Sequence, residues 1–71
     1  MADDLLKRLG ERIRTLRKKR GWTQIVMAEK IGLDRSFLAD VERGKRNISL
    51  LNLYLIAKGL EKSLSQILSR I

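Results

Sequence analysis

The sequence predicts an all-α fold of five helices, and three observations predict it. Proline is absent from all 71 residues, so no helical pattern is interrupted by the residue that breaks helices most strongly. Apolar residues recur at three- and four-residue steps, the spacing of a buried helix face. Between these stretches stand Ser, Thr or Asp residues that can cap a helix start and glycines that can end one.

The first helix is predicted from Asp3 or Asp4, either of which can act as its N-cap, to about Arg20. Leu5, Leu6, Leu9, Ile13 and Leu16 form its apolar stripe. Gly10 interrupts it at a cost of about 1 kcal/mol relative to alanine, which points to a close packing contact. The helix ends in Arg17-Lys18-Lys19-Arg20, cations suited to the negative end of the helix dipole. Gly21 is the stop.

Thr23 caps the second helix, in which Val26, Met27, Lys30 and Ile31 follow at helical spacing. Trp22 precedes the cap, where it can staple against Met27; stacking on a base is the alternative. Gly32 falls where the chain must turn sharply and positive φ costs glycine nothing. Asp34 is the expected cap of the third helix, Phe37, Leu38, Val41 and Glu42 continue it, and Gly44 ends it. Two helices of about eight residues are marginal in water, so they must pack on each other and on a third element. Ala28 is small where that approach is close, and Leu38 and Val41 face inward. Left outward are Arg35, Ser36, Ala39 and Asp40, with Phe37 beside them.

A basic loop, Gly44-Lys45-Arg46-Asn47, leads to Ser49, the cap of the fourth helix. At about 100° per residue, Leu50, Leu53, Ile56, Ala57 and Leu60 share a core face. Leu51 and Leu55 project from another side, with Tyr54 and Lys58 between. Ser63-Leu64-Ser65-Gln66 is a capping box for the last helix, whose apolar side is Leu64, Ile67, Leu68 and Ile71.

Composition narrows the chemistry. Cysteine and histidine are both absent, which removes disulfides, the usual zinc ligands, thiol nucleophiles and imidazole bases. No cofactor, metal or catalytic role is expected. Sixteen Lys and Arg stand against eight Asp and Glu, a net charge of +8. That balance calls for a polyanion: nucleic acid first, an anionic membrane second. No apolar run approaches the roughly 18 residues that span a bilayer. The acidic start does not resemble a signal peptide, so the expected location is the cytoplasm. The expected organisation is one domain over residues 1–71.

Residues 23–44 therefore have the layout of a helix-turn-helix, with a protruding second helix suited to a major groove. Gln24, Ala28, Gly32, Leu38 and Val41, with the flanks Gly21-Trp22-Thr23-Gln24 and Val41-Glu42-Arg43-Gly44-Lys45, resemble the lambda-repressor-like family of the Xre or Cro/CI type. Asn47-Ile48-Ser49-Leu50 and Leu53, Ile56-Ala57-Lys58 and Leu60 fit the same pattern, so the resemblance covers nearly the whole chain. Three departures are local. Val26 stands where the family often has Glu, Ile48 where it often has Pro, and Phe37 is a bulky apolar residue at an outward position. Within the family, the length, the Glu42–Asn47 phrase and the apolar last helices look most like restriction–modification controller proteins, with phage regulators and antitoxin subunits near.

The resemblance implies sequence-specific binding of double-stranded DNA by a homodimeric transcriptional regulator that reads an inverted repeat. It also implies that Arg17 pairs with Glu42 as a structural tie, and that Gln24 contacts a phosphate. From residue chemistry, Arg35 suits guanine in the major groove, and Ser36 suits a phosphate or a base edge. Asp40 can accept from cytosine, orient Arg35 or Arg43, or stand as a solvated acid. Phe37 has three options: burial, a thymine methyl or the sugar–phosphate backbone. Thr23, Gln24, Arg43, Lys45, Arg46 and Asn47 are expected to hold phosphates, and Arg35, Ser36, Phe37, Ala39 and Asp40 to face bases. The basic run Arg17–Arg20 is a solvated helix end, a phosphate contact, or both. Leu51, Tyr54, Leu55, Leu68 and Ile71 are expected at the dimer interface, because exposed apolar groups of this kind mark one. The alternative is a protein-interaction module in which this face holds a different, unidentified protein and DNA binding is secondary.

Overall fold

The computed structural model describes residues 2–69 and 71. They form five helices in chain order: α1 (Ala2–Lys19), α2 (Gln24–Ile31), α3 (Arg35–Glu42), α4 (Leu50–Gly59) and α5 (Leu64–Leu68). The long α1 packs against α3 and α5, α2 against α3 and α4, and α4 against α5. Every helix contributes to one core: Ile13 of α1, Met27 of α2, Leu38 of α3, Ile56 of α4 and Ile67 of α5 are fully buried, with Leu60 just after α4. Truncating one such side chain to alanine costs about 2–5 kcal/mol.

The caps explain where the helices start. The side-chain oxygens of Thr23, Ser49 and Ser63 accept from the backbone N–H of Val26 (3.1 Å), Asn52 (3.1 Å) and Gln66 (3.0 Å). Gln66 Oε1 accepts in return from the Ser63 N–H at 2.8 Å, completing the capping box. Two expected caps differ. α1 already includes Ala2, so Asp3 and Asp4 lie in its first turn and not at its N-cap. Asp34 has the extended backbone of an N-cap but its carboxylate makes no cap bond; its carbonyl accepts from the Leu38 N–H at 3.0 Å.

Three helices end with one pattern of paired backbone bonds. Gly21 and Trp22 donate back to Lys18 and Arg17, Gly44 and Lys45 to Val41 and Asp40, and Glu61 and Lys62 to Lys58 and Ala57. This stop needs a left-handed residue. Gly21 and Gly44 supply it freely, whereas Glu61 adopts φ 58° with a full side chain.

Two apolar positions expected inside lie outside. Leu50 is 72% exposed and Leu5 52%. Leu50 is the first helical residue of α4, and Ile48 from the preceding loop packs against the core instead. In α1 the buried stripe is Leu9, Ile13 and Leu16. Trp22 is half-buried against the core, with the Arg20 guanidinium 5.3 Å and the Lys30 ammonium 5.1 Å from its ring. Arginines of α1 hold α5 and the residue Ile71 beyond it: Arg12 Nη2 donates to the Gln66 carbonyl at 2.9 Å and Arg8 to the Ile71 carbonyl.

Candidate nucleic-acid interface

The first turn of α2, the outer side of α3 and one side of α1 build a shallow concave surface. It is lined by Arg14, Arg17, Gln24, Arg35, Ser36, Ala39, Asp40, Glu42 and Arg43. The start of α3 thus brings together Arg35, Ser36, Ala39 and Asp40. Arg35 and Ser36 are exposed; Ala39 and Asp40 are half-buried. Gln24 joins from the first turn of α2. Thr23 is exposed at the α2 cap, with its hydroxyl oxygen on the Val26 N–H.

Arg14 is a residue the sequence reading passed over. So is Lys7, which lies beside Gly44, Lys45 and Asn47 in a neighbouring depression. Both sit on the side of α1 that meets the end of α3. A signal was present: Lys7, Gly10, Arg14 and Arg17 recur at helical spacing. The contact at Gly10 identifies that side as the one against α3. A methyl group there would stand 2.4 Å from the Val41 carbonyl oxygen and 2.5 Å from that of Glu42.

A buried polar cluster fixes α3 against α1 and α2. Arg17 Nε donates to Glu42 Oε2 at 2.7 Å, and Arg17 Nη2 to Glu42 Oε1 at 3.0 Å. Arg17 Nη1 donates to the Trp22 carbonyl at 2.7 Å, and Gln24 Nε2 to Glu42 Oε1 at 3.0 Å. The two charged side chains are only 8% and 3% exposed. A buried pair is sustainable when it is bidentate and further hydrogen-bonded, as here. One amide N–H of Gln24 is spent in this cluster, and an amide nitrogen carries two.

The exposed end of α3 holds a second cluster. Asp40 accepts from Arg43 Nη2, and its other oxygen lies 3.8 Å from Arg46 Nη2. The Arg46 guanidinium stands 5.1 Å from the centroid of the Phe37 ring, within cation–π range. Phe37 itself is half-buried against the core. Asp40 thus bonds Arg43, and Phe37 packs sideways on the core with Arg46 over its ring. The loop is tied down at Gly44 (φ 71°), where a methyl group would stand 2.7 Å from Lys7 Cα.

α4 and α5 also leave apolar side chains exposed. Leu51 is 68% exposed, Tyr54 50% and Leu68 45%, joined by Leu50. Leu55 is half-buried in a depression with Lys30, Ile31, Lys58 and Gly59. Ile71 is half-buried against the core of its own chain. Among the described residues, no helix is long and apolar enough to cross a membrane.

Known proteins carry the same architecture. Residues 13–67 match the HTH_3 helix-turn-helix family model. The chain is 41% identical over 70 residues to the control protein C.MunI of Mycoplasma sp, covering 97% of this chain and 95% of that protein. It is 46% identical over 59 residues to the immunity repressor of Bacillus phage phi105, covering 83% of this chain but only 41% of the repressor. Among solved structures, the restriction–modification controller protein C.AhdI from Aeromonas hydrophila superposes with TM-score 0.84 at 41% identity, over 90% of this chain and 96% of that one. The controller protein C.Esp1396I, solved as a tetramer on its natural 35 base-pair operator, superposes with TM-score 0.83 at 36% identity, over 93% and 91% of the two chains. The chain belongs to the HTH_3 helix-turn-helix family of the Xre and Cro/CI type.

Proposed function

We propose that this chain is a sequence-specific, DNA-binding transcriptional regulator of the controller type, working as a two-fold dimer in the cytoplasm with residues 1–71 as one domain. The observation that carries the reading is the concave surface. It brings Arg35 and Ser36, exposed at the start of α3, together with Arg14, Gln24 and Arg43. α3 would enter a major groove, with Arg35, Ser36, Phe37, Ala39 and Asp40 toward base edges. Thr23, the second amide N–H of Gln24, Arg43, Lys45, Arg46 and Asn47 would hold phosphates, joined by Lys7 and Arg14. Such contacts set register and give salt-sensitive affinity, whereas base edges give discrimination. No catalytic step belongs to this reading.

The dimer would form through Leu51, Tyr54, Leu55 and Leu68, with Leu50 added and Ile71 at its margin. Controller proteins at over 35% identity support this class, one of them solved as a tetramer on an operator. A second reading rests on the same exposed leucines: they would hold a different protein, and a heteromeric complex surviving high salt would mark it. Two substitutions test the assignment of contacts. Arg35→Ala should cost about 1–3 kcal/mol on a specific site and relax preference at one position. Lys45→Ala should weaken specific and scrambled duplexes alike and lower the salt slope by about one. If both variants behave identically on both duplexes, the division into base and phosphate contacts is wrong.

A further inference from the structure

We propose that Asp40 and Phe37 restrain Arg43 and Arg46, and that this restraint is a specificity device that weakens binding to DNA of the wrong sequence. The inference rests on the DNA-binding reading above and gives two residues of α3 a role apart from touching bases.

The geometry is a clamp. Phe37 and Asp40 are three residues apart on α3 and so share a face. Arg46 returns from the loop over both, 5.1 Å from the Phe37 ring centroid and 3.8 Å from Asp40 Oδ2. Arg43 is bonded to the other oxygen of the same carboxylate. One carboxylate therefore engages two of the cations best placed for phosphates. The only other acid lining this concave surface is Glu42, which is buried and engaged by Arg17 and Gln24. Of the two acids lining this concave surface, Asp40 is thus the one a polyanion can reach.

The consequence differs between right and wrong DNA. Binding to arbitrary sequence is almost wholly phosphate contact. There a phosphate competes with Asp40 for Arg43 and Arg46 and meets the carboxylate's repulsion. At a matching site α3 lies in the groove, and base edges present amino donors that can take over the carboxylate. The arginines then pass to phosphates without leaving Asp40 unpartnered. Phe37 adds to the restraint by holding Arg46 over an apolar ring.

The test uses a random-sequence duplex, so it requires no known site. Asp40→Asn should tighten binding to that duplex about three- to ten-fold, the range expected for releasing two exposed ion pairs. Its salt slope should steepen by up to about two, because two more phosphates are engaged. Glu61→Gln changes the net charge equally at a distant exposed acid and should do neither. In an Arg43→Gln, Arg46→Gln background, Asp40→Asn should lose its effect. Phe37→Leu should act in the same direction as Asp40→Asn, with an unfolding curve confirming that the fold is kept. The proposal is overturned if Asp40→Asn leaves binding to the random duplex unchanged. It is also overturned if the effect persists without the two arginines. Failure of the parent reading is a separate result: the wild type would select no sequence, whatever Asp40 does to overall affinity.

Discussion

Gly10 on α1 lies against the backbone of Val41 on α3, so closely that a single methyl group at Gly10 would sit 2.4 Å from the Val41 carbonyl oxygen. The neighbour is backbone, which cannot swing aside as a long side chain can. Gly10→Ala would gain about 1 kcal/mol of helix propensity, but overpacking should win and leave a net loss of about 1–3 kcal/mol. Chemical denaturation measures this. The same variant should bind DNA more weakly even where folded, because α3 is pushed away from Arg14 and Lys7.

The Arg17–Glu42 pair should behave as a buried one. Arg17→Ala leaves the Glu42 carboxylate without its guanidinium in a position only 3% exposed, which should cost about 3–5 kcal/mol. Glu61→Gln breaks an ion pair of the same length, 2.7 Å, to Arg20, from a carboxylate side chain 75% exposed, and should cost no more than about 1 kcal/mol. Equal losses from the two pairs, by equilibrium unfolding, would contradict the burial argument.

Glu61 occupies the left-handed stop position that Gly21 and Gly44 fill elsewhere. A side chain there costs roughly 1–2 kcal/mol, partly offset by the lower chain entropy of a non-glycine residue. Glu61→Gly should stabilise the domain by about 0.5–1 kcal/mol. The gain should be clearest in an Arg20→Ala background, where the lost ion pair no longer counts against it. A thermal melt reads the sign directly.

Leu50, Leu51, Tyr54 and Leu68 are the exposed apolar groups proposed for the dimer. Leu51→Glu should shift sedimentation equilibrium from dimer toward monomer and leave the helical content unchanged. Wild-type stability should rise with protein concentration, as association requires, and that dependence should vanish in the variant. A wild type that sediments as a monomer would remove the dimer from the account.

Much of this molecule was legible in its residues. Helix order, the caps at Thr23, Ser49 and Ser63, and the turn at Gly32 follow from local chemistry, and local chemistry is what a sequence displays. Gly10 was readable as a close contact, though its partner was not. Periodicity assigns an angle around a helix and not a depth, so Leu50 was placed in the core although Ile48 fills that end of it. Arg14 and Lys7 were missed because the side of α1 that meets α3 is defined only by the packing at Gly10. The Arg17–Glu42 pairing came from family resemblance, since residues 25 apart reveal no such contact on their own. The clustering of Asp40 with Arg43 and Arg46, and of Arg46 with Phe37, depends on how the loop after α3 folds back. No spacing rule encodes that return.

The measurement that tests the central claim most directly is selection from a randomised duplex library at near-physiological salt. A dimer reading DNA through α3 should enrich an inverted repeat, with half-site centres about one helical turn apart. Salt-sensitive binding that enriches no motif would contradict it, and would reduce the net charge of +8 to a general affinity for polyanions.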